Sequence, residues 1–107
     1  MKSDRIKELE WKLLQKLRPM ALDRCCRSVL DEVSQQALDM TKSAHERYLA
    51  VYKLMLDCDK KVARAFDDQR RSTAELQLAL IRSAGWITDE EFALFSEETR
   101  ASIQHLL

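Results

Sequence analysis

The chain has 107 residues, with 18 Lys plus Arg balanced by 18 Asp plus Glu. That length fits one domain. Zero net charge speaks against a dedicated nucleic-acid or anionic-membrane binder, which carries a basic excess.

A single Gly and a single Pro leave little room for strands and tight turns. Leu, Ala, Glu, Lys, Arg and Gln dominate, and these favour helices. An all-α fold is expected. No stretch approaches the roughly 18 consecutive apolar residues of a membrane span. The N-terminal MKSDRIKELEWK lacks the apolar core of a secretion signal, so a cytoplasmic location and no membrane partner are expected. The three cysteines are odd in number and include the vicinal pair Cys25-Cys26. Reduced thiols packed as small hydrophobes are the expectation.

The first helix is predicted over 3–17. Ser3 is its N-cap, Asp4 suits its first turn, and Ile6, Leu9, Leu13 and Leu17 form its stripe, flanked by Trp11 and Leu14. Arg18-Pro19 marks a break, because a residue before proline disfavours the helical region. Pro19 then suits the first turn of the next helix.

From 20 to 84 there is neither Gly nor Pro. Apolar positions run from Leu22 to Phe66 with a mean step of about 3.67, near the period of an eleven-residue repeat. This predicts one continuous helix of about 45 residues, some 67 Å long. A compact chain of this length is only about 35 Å across. The stripe therefore needs a second chain to cover it, which predicts an elongated homodimer. Val29, Val33, Ala37, Met40, Ala44, Tyr48, Val51 and Met55 are the expected dimer seam. Ser43-Ala44-His45-Glu46 matches the S-x-x-E capping box and is the one candidate break. The stripe passes through it in phase, so continuity is the expectation.

The stripe ends at Phe66. A polar run, DDQRR, follows, in which Asp67 and Arg71 are spaced to pair at i,i+4. Ser72 and Glu75 form a second capping box, opening a short helix through Leu76, Leu80 and Ala84. Gly85 fits the left-handed position after that helix. Thr88 and Glu91 form a third box, and Ile87 with Phe92 a hydrophobic staple. Trp86 is placed to fill the corner. A last helix starts at Ser96, with Ile103, Leu106 and Leu107 on its inner side. The chain thus divides into a helical stem, 1–66, and a helical head, 67–107.

Chemistry is sparse. His45 and His105 are the only histidines, too few for a recognisable Ser/His/Asp or Cys/His site. Asp57-Cys58-Asp59 are adjacent and point about 100° apart on a helix, which does not suit a metal. Asp67-Asp68 reads as helix-end polarity, and there is no Gly-rich phosphate loop. No catalytic residue, metal or cofactor is expected.

The polar DDQRRS break, the short apolar helix and AGWITDEEFALF before a charged closing helix resemble the fluorescence recovery protein family and its bacterial homologues. The match covers roughly 60–106 and aligns Asp68, Arg70, Ser72, Gly85, Glu90 and Glu91. The first half matches in helical character and length. The resemblance implies a non-enzymatic, all-helical homodimer that binds and regulates another protein. Cyanobacterial members act on the orange carotenoid protein, through a Trp and nearby charges on the stem. The corresponding stretch here, Ala50-Val51-Tyr52-Lys53, has no Trp and no His-Asp pair. Fold and dimerisation are carried over, and the carotenoid-protein activity is not. Tyr52, Lys53, Arg70, Arg71 and Trp86 are the candidate partner-binding residues. Alternative readings are a small phage- or plasmid-type inhibitor, or a DNA-binding regulator using the short helices with Arg70, Arg71 and Arg82.

Overall fold

A computed structural model describes residues 7–107. All regular structure in it is helical: α1 (Glu8–Ala37), α2 (Ala44–Phe66), α3 (Arg71–Ser83), α4 (Asp89–Phe92) and α5 (Glu97–Leu106). The expected N-cap Ser3 and the stripe residue Ile6 lie outside the described residues. The shape is long and thin, 59 × 24 × 22 Å, with a Cα radius of gyration of 16.8 Å. A compact chain of this length would have a radius near 13 Å.

Two predicted boundaries are corrected. Helix α1 does not break at Arg18-Pro19 but runs through Pro19. Leu14, Leu17, Ala21 and Cys25 are all buried, at helical spacing on both sides of the proline. Their burial outweighs the local cost of a residue without an N–H. Pro19 itself is exposed, so its ring faces solvent rather than the core. The head therefore packs around the N-terminal half of α1 as well as α3 to α5.

The second correction is the continuous helix. The chain turns back at 38–43, and α2 packs alongside α1 as a helical hairpin. Three local devices make this turn without glycine. Arg47 donates to the Ala37 carbonyl at 2.8 Å, placing a cation at the C-terminus of α1 where its last turn has none. Asp39 accepts from the Thr41 amide at 3.1 Å, a side-chain turn. Ser43 forms the full capping box: Glu46 N–H donates to Ser43 Oγ at 3.1 Å, and Ser43 N–H donates to the Glu46 carboxylate at 3.0 Å. The box is a true helix start, not an interior pattern.

The α2–α3 junction also differs in detail. Asp68 takes a left-handed conformation, φ 57°, which Asp tolerates better than most residues. Helix α3 starts at Arg71, so the expected N-cap Ser72 lies inside it. Thr73 supplies the local hydroxyl instead, accepting from the Arg70 amide at 3.4 Å. Arg71 pairs with Glu8 at 3.1 Å rather than with Asp67.

The corner after α3 forms as expected. Gly85 has φ +82°. Its N–H donates to the Arg82 carbonyl at 3.1 Å and the Trp86 N–H to the Ile81 carbonyl at 3.1 Å, the paired bonds of a Schellman motif. Thr88 and Glu91 make the predicted box, with bonds of 2.8 and 3.0 Å. Ile87 and Phe92 are both buried in the head core. Ser96 caps α5. Ile103 is fully buried, but Leu106 and Leu107 are more than half exposed, since α5 outruns the core.

Candidate interaction surfaces

Burial splits the molecule sharply. The buried residues of α1 end at Cys25 and those of α2 begin at Ala65. Between residues 26 and 64 no residue is buried. This is the arm, the distal part of the α1–α2 hairpin.

The expected seam residues all lie in or at the tip of the arm, but on a hairpin rather than one rod. Val29, Val33 and Val51 are half-buried between the helices, together with Leu54 and Cys58. Ala37, Met40 and Ala44 are exposed around the tip. Tyr48 is 65% exposed and Met55 45%. Tyr48, Tyr52 and Met55 recur at i, i+4 and i+7, with Leu49 and Leu56 beside them, so one face of α2 is apolar and wet. Helix α1 contributes Leu22, Cys26 and Leu30 at i, i+4 and i+8. A groove of about 260 Å³, lined by Cys26, Val29, Leu30, Met55, Cys58 and Val62 among others, joins the two stripes into one face.

The partner-binding candidates do not form one patch. Tyr52 lies on the apolar arm face. Lys53 follows it about 100° around the helix, off that face. Arg70 pairs with Asp68 at 2.6 Å and Arg71 with Glu8 at 3.1 Å. Arg82, the third cation considered for phosphate, pairs with Asp89 at 2.6 Å and stacks 4.7 Å from the Phe92 ring centroid. These three guanidiniums are engaged within the chain.

Trp86 fills its corner as expected. It stacks on Phe66, with centroids 5.8 Å apart and planes at 28°. It stays half-exposed and walls two surface depressions, one shared with Lys61, Arg64 and Leu80, the other with Arg27 and Glu32. Arg24 braces the corner from α1. It donates to the Trp86 carbonyl at 3.0 Å and grips the Glu91 carboxylate with two bonds of 2.6 and 3.1 Å. The Arg24 guanidinium, helped by the Thr88 amide, holds the Glu91 carboxyl well below its ordinary 4.5, at about 2.

Sequence reasoning missed a polar cluster inside the head. Arg18 is buried and donates to Gln77 Oε1 on α3 at 2.6 Å. Glu10, also buried, accepts from the Ser96 amide at 2.6 Å and so ties α1 to the start of α5. The usable signal was the apolar spacing of Leu14, Leu17, Ala21 and Cys25, which stays in phase across Pro19.

His45 and His105 are both exposed. Among the described residues no group of three or more His, Cys, Asp or Glu is placed to hold a metal ion, and no helix is long and apolar enough to cross a membrane. The three cysteines are free thiols. Cys25 is buried and Cys26 exposed. Burial, with Cys26 and Cys58 nearby, pushes the Cys25 thiol pKa up.

Comparison of the chain with family models, with curated proteins and with solved structures finds no match.

Proposed function

We propose that the protein is a non-enzymatic homodimer that binds and regulates another protein. In this reading the arm makes the dimer and the head, with the corner around Trp86, meets the partner. The helical, non-enzymatic homodimer follows the resemblance to the fluorescence recovery protein family, without the carotenoid-protein activity and with the head rather than the stem meeting the partner.

One observation carries the proposal: an apolar arm face with no buried residue behind it from 26 to 64. Helix α2 has 23 residues, about 35 Å, and two helices side by side are about 20 Å wide. The whole flank therefore offers on the order of 700 Å², of which the apolar stripes are a part. It is close to the ~800 Å² that each partner contributes to a standard interface. Two hairpins packed on that face would make a four-helix bundle. The DNA-binding alternative gains no such support, since Arg70, Arg71 and Arg82 are committed to Asp68, Glu8 and Asp89.

Light-scattering mass after size exclusion, over a dilution series, tests this reading. The expected result is twice the chain mass for the wild type and the chain mass for Tyr52→Glu. Tyr52 is 58% exposed, so the substitution leaves the monomer fold intact while placing a charge in the dimer seam. A wild-type protein that runs as a monomer at all concentrations would sink it.

A further inference from the structure

Arg18 is the most deeply buried charged side chain among the described residues, at 4% exposure. The other buried or braced charges are neutralised or capped: Arg24 grips Glu91, and Glu10 accepts from the Ser96 amide. Arg18 has only neutral acceptors. Its terminal nitrogens donate to Gln15 Oε1 and Gln77 Oε1, each at 2.6 Å. Its guanidinium carbon lies 5.3 Å from the Trp11 ring centroid. Its Nε–H is buried without an acceptor. Guanidinium has five N–H donors, so three remain uncommitted. Burial alone pulls its pKa down, with no neighbouring anion to raise it. A buried cation with spare donors and no direct ion pair is costly for a fold to keep.

Arg18 is also among the residues that line an open depression of about 400 Å³, within the size range of small-molecule sites, roughly 300–1,000 Å³. Leu22, Val62 and Phe66 give it apolar sides, and Asp67 stands among the lining groups. Gln77 holds the arrangement in place. Its Oε1 accepts from Arg18, and its Nε2 donates to the Asp67 carbonyl, which fixes which end of the amide faces the arginine. The planar fork of an arginine matches a carboxylate or a phosphate. Apolar walls and a nearby carboxylate disfavour a dianion. They suit one negative charge carried on a hydrocarbon body.

We propose that this depression binds an apolar monocarboxylate, its carboxylate on the Arg18 guanidinium and its hydrocarbon body along Leu22, Val62 and Phe66. The same chemistry can arrive as a small fatty or aryl acid, or as a glutamate flanked by apolar residues on a partner peptide. The site lies at the junction of head and arm. Its walls Leu22 and Val62 also border the apolar arm face, but its test is separate from that of the dimer, because the titration reads Arg18 and not the oligomeric state.

The test is a calorimetric titration of the full chain at neutral pH. Octanoate is one arm and a blocked peptide carrying one glutamate between leucines is the other. Octanol and inorganic phosphate are the controls. The expected result is saturable binding of octanoate, of the peptide, or of both, with neither control binding. Octanoate alone assigns the site to small acids, and the peptide alone assigns it to a partner protein. Arg18→Met abolishes binding. Asp67→Asn removes a like charge from the depression and tightens binding about two- to five-fold. A measurement on the wild type covers the case in which Arg18→Met does not fold. The Trp11 indole resonance, stacked on the guanidinium, shifts with octanoate and not with octanol. The proposal is overturned if neither carboxylate binds, if octanol binds as well as octanoate, or if Arg18→Met binds octanoate like the wild type.

Discussion

The head and the arm are built from the same kind of sequence and end in opposite states. In the head, Leu14, Leu78, Ile81, Phe95 and Ile103 are almost wholly buried, and polar groups such as Glu10 and Arg24 brace its joints. In the arm, apolar residues are as frequent but none is buried. Leu30, Tyr48 and Tyr52 are each more than half exposed. A helix pair has only one shared seam, so two helices cannot cover both of their apolar flanks. The first half of α1 with the other helices packed around it can. The difference shows that hydrophobic patterning reports the need for burial. Topology decides whether the chain meets that need by itself.

The largest expected effect breaks this contrast directly. Leu78 in the head is fully buried, so Leu78→Ala costs about 2.5–5 kcal/mol. Leu56 in the arm is 49% exposed, so Leu56→Ala costs the monomer under about 1 kcal/mol. Urea titrations at two protein concentrations separate the cases. The Leu78 variant loses stability at both, and the Leu56 variant loses it only where the protein associates. Equal losses for the two variants, independent of concentration, would show that the arm is as well packed as the head.

Much of the head was legible because its signals are local. Gly85, Thr88 and Glu91 lie within a few residues of the bonds they make. The arm was misread because two local signals competed with one long pattern. The apolar phase from Leu22 to Phe66 argued for one rod, while Ser43 and Glu46 argued for a start. The cap won because Arg47 and Asp39 reinforce it, and neither contact is visible from a capping box alone. Pro19 was misread for the opposite reason. A strong local breaker lost to burial of Leu14, Leu17, Ala21 and Cys25 against elements far along the chain. The same spacing hinted that Arg18 is buried, but its partner Gln77 lies 59 residues away and left no local signal.

The next effect sharpens the contrast at the joint. Glu91→Gln removes the charged end of the Arg24 brace and costs about 1–2 kcal/mol, less than a fully buried pair because the Arg24 side chain is about a third exposed. The Glu91 pKa is depressed in the folded state, so its contribution is present in full above about pH 4.5. It is lost as pH falls towards about 2. Thermal melts from pH 5 to 2.5 check this. The wild type should lose stability more steeply than Glu91→Gln over that window, and parallel curves would remove Glu91 from the acid response.

Gly85→Ala is smaller and cleaner. A Cβ built on Gly85 meets nothing within 4 Å, so sterics with the rest of the head add nothing. What remains is the backbone cost of φ +82° for an L-residue, about 1 kcal/mol. Chemical denaturation measures it. A loss several times larger would mean that Trp86 or its Schellman bonds shift as well.

The smallest effect probes the arm's turn. Ser43→Ala deletes one half of an exposed capping box and costs about 0.5–1 kcal/mol. The turn 38–43, Leu-Asp-Met-Thr-Lys-Ser, has neither Gly nor Pro. Every residue in it tolerates helical geometry, and the apolar phase on either side is continuous. Once the cap is weakened, the competing state for these residues is more helix rather than coil. The expected outcome is a small loss of stability with no loss of far-ultraviolet helicity, measured on one sample by circular dichroism. If helicity falls in step with stability, the turn frays to coil. The hairpin then depends on the Arg47 contact to the Ala37 carbonyl more than on the cap.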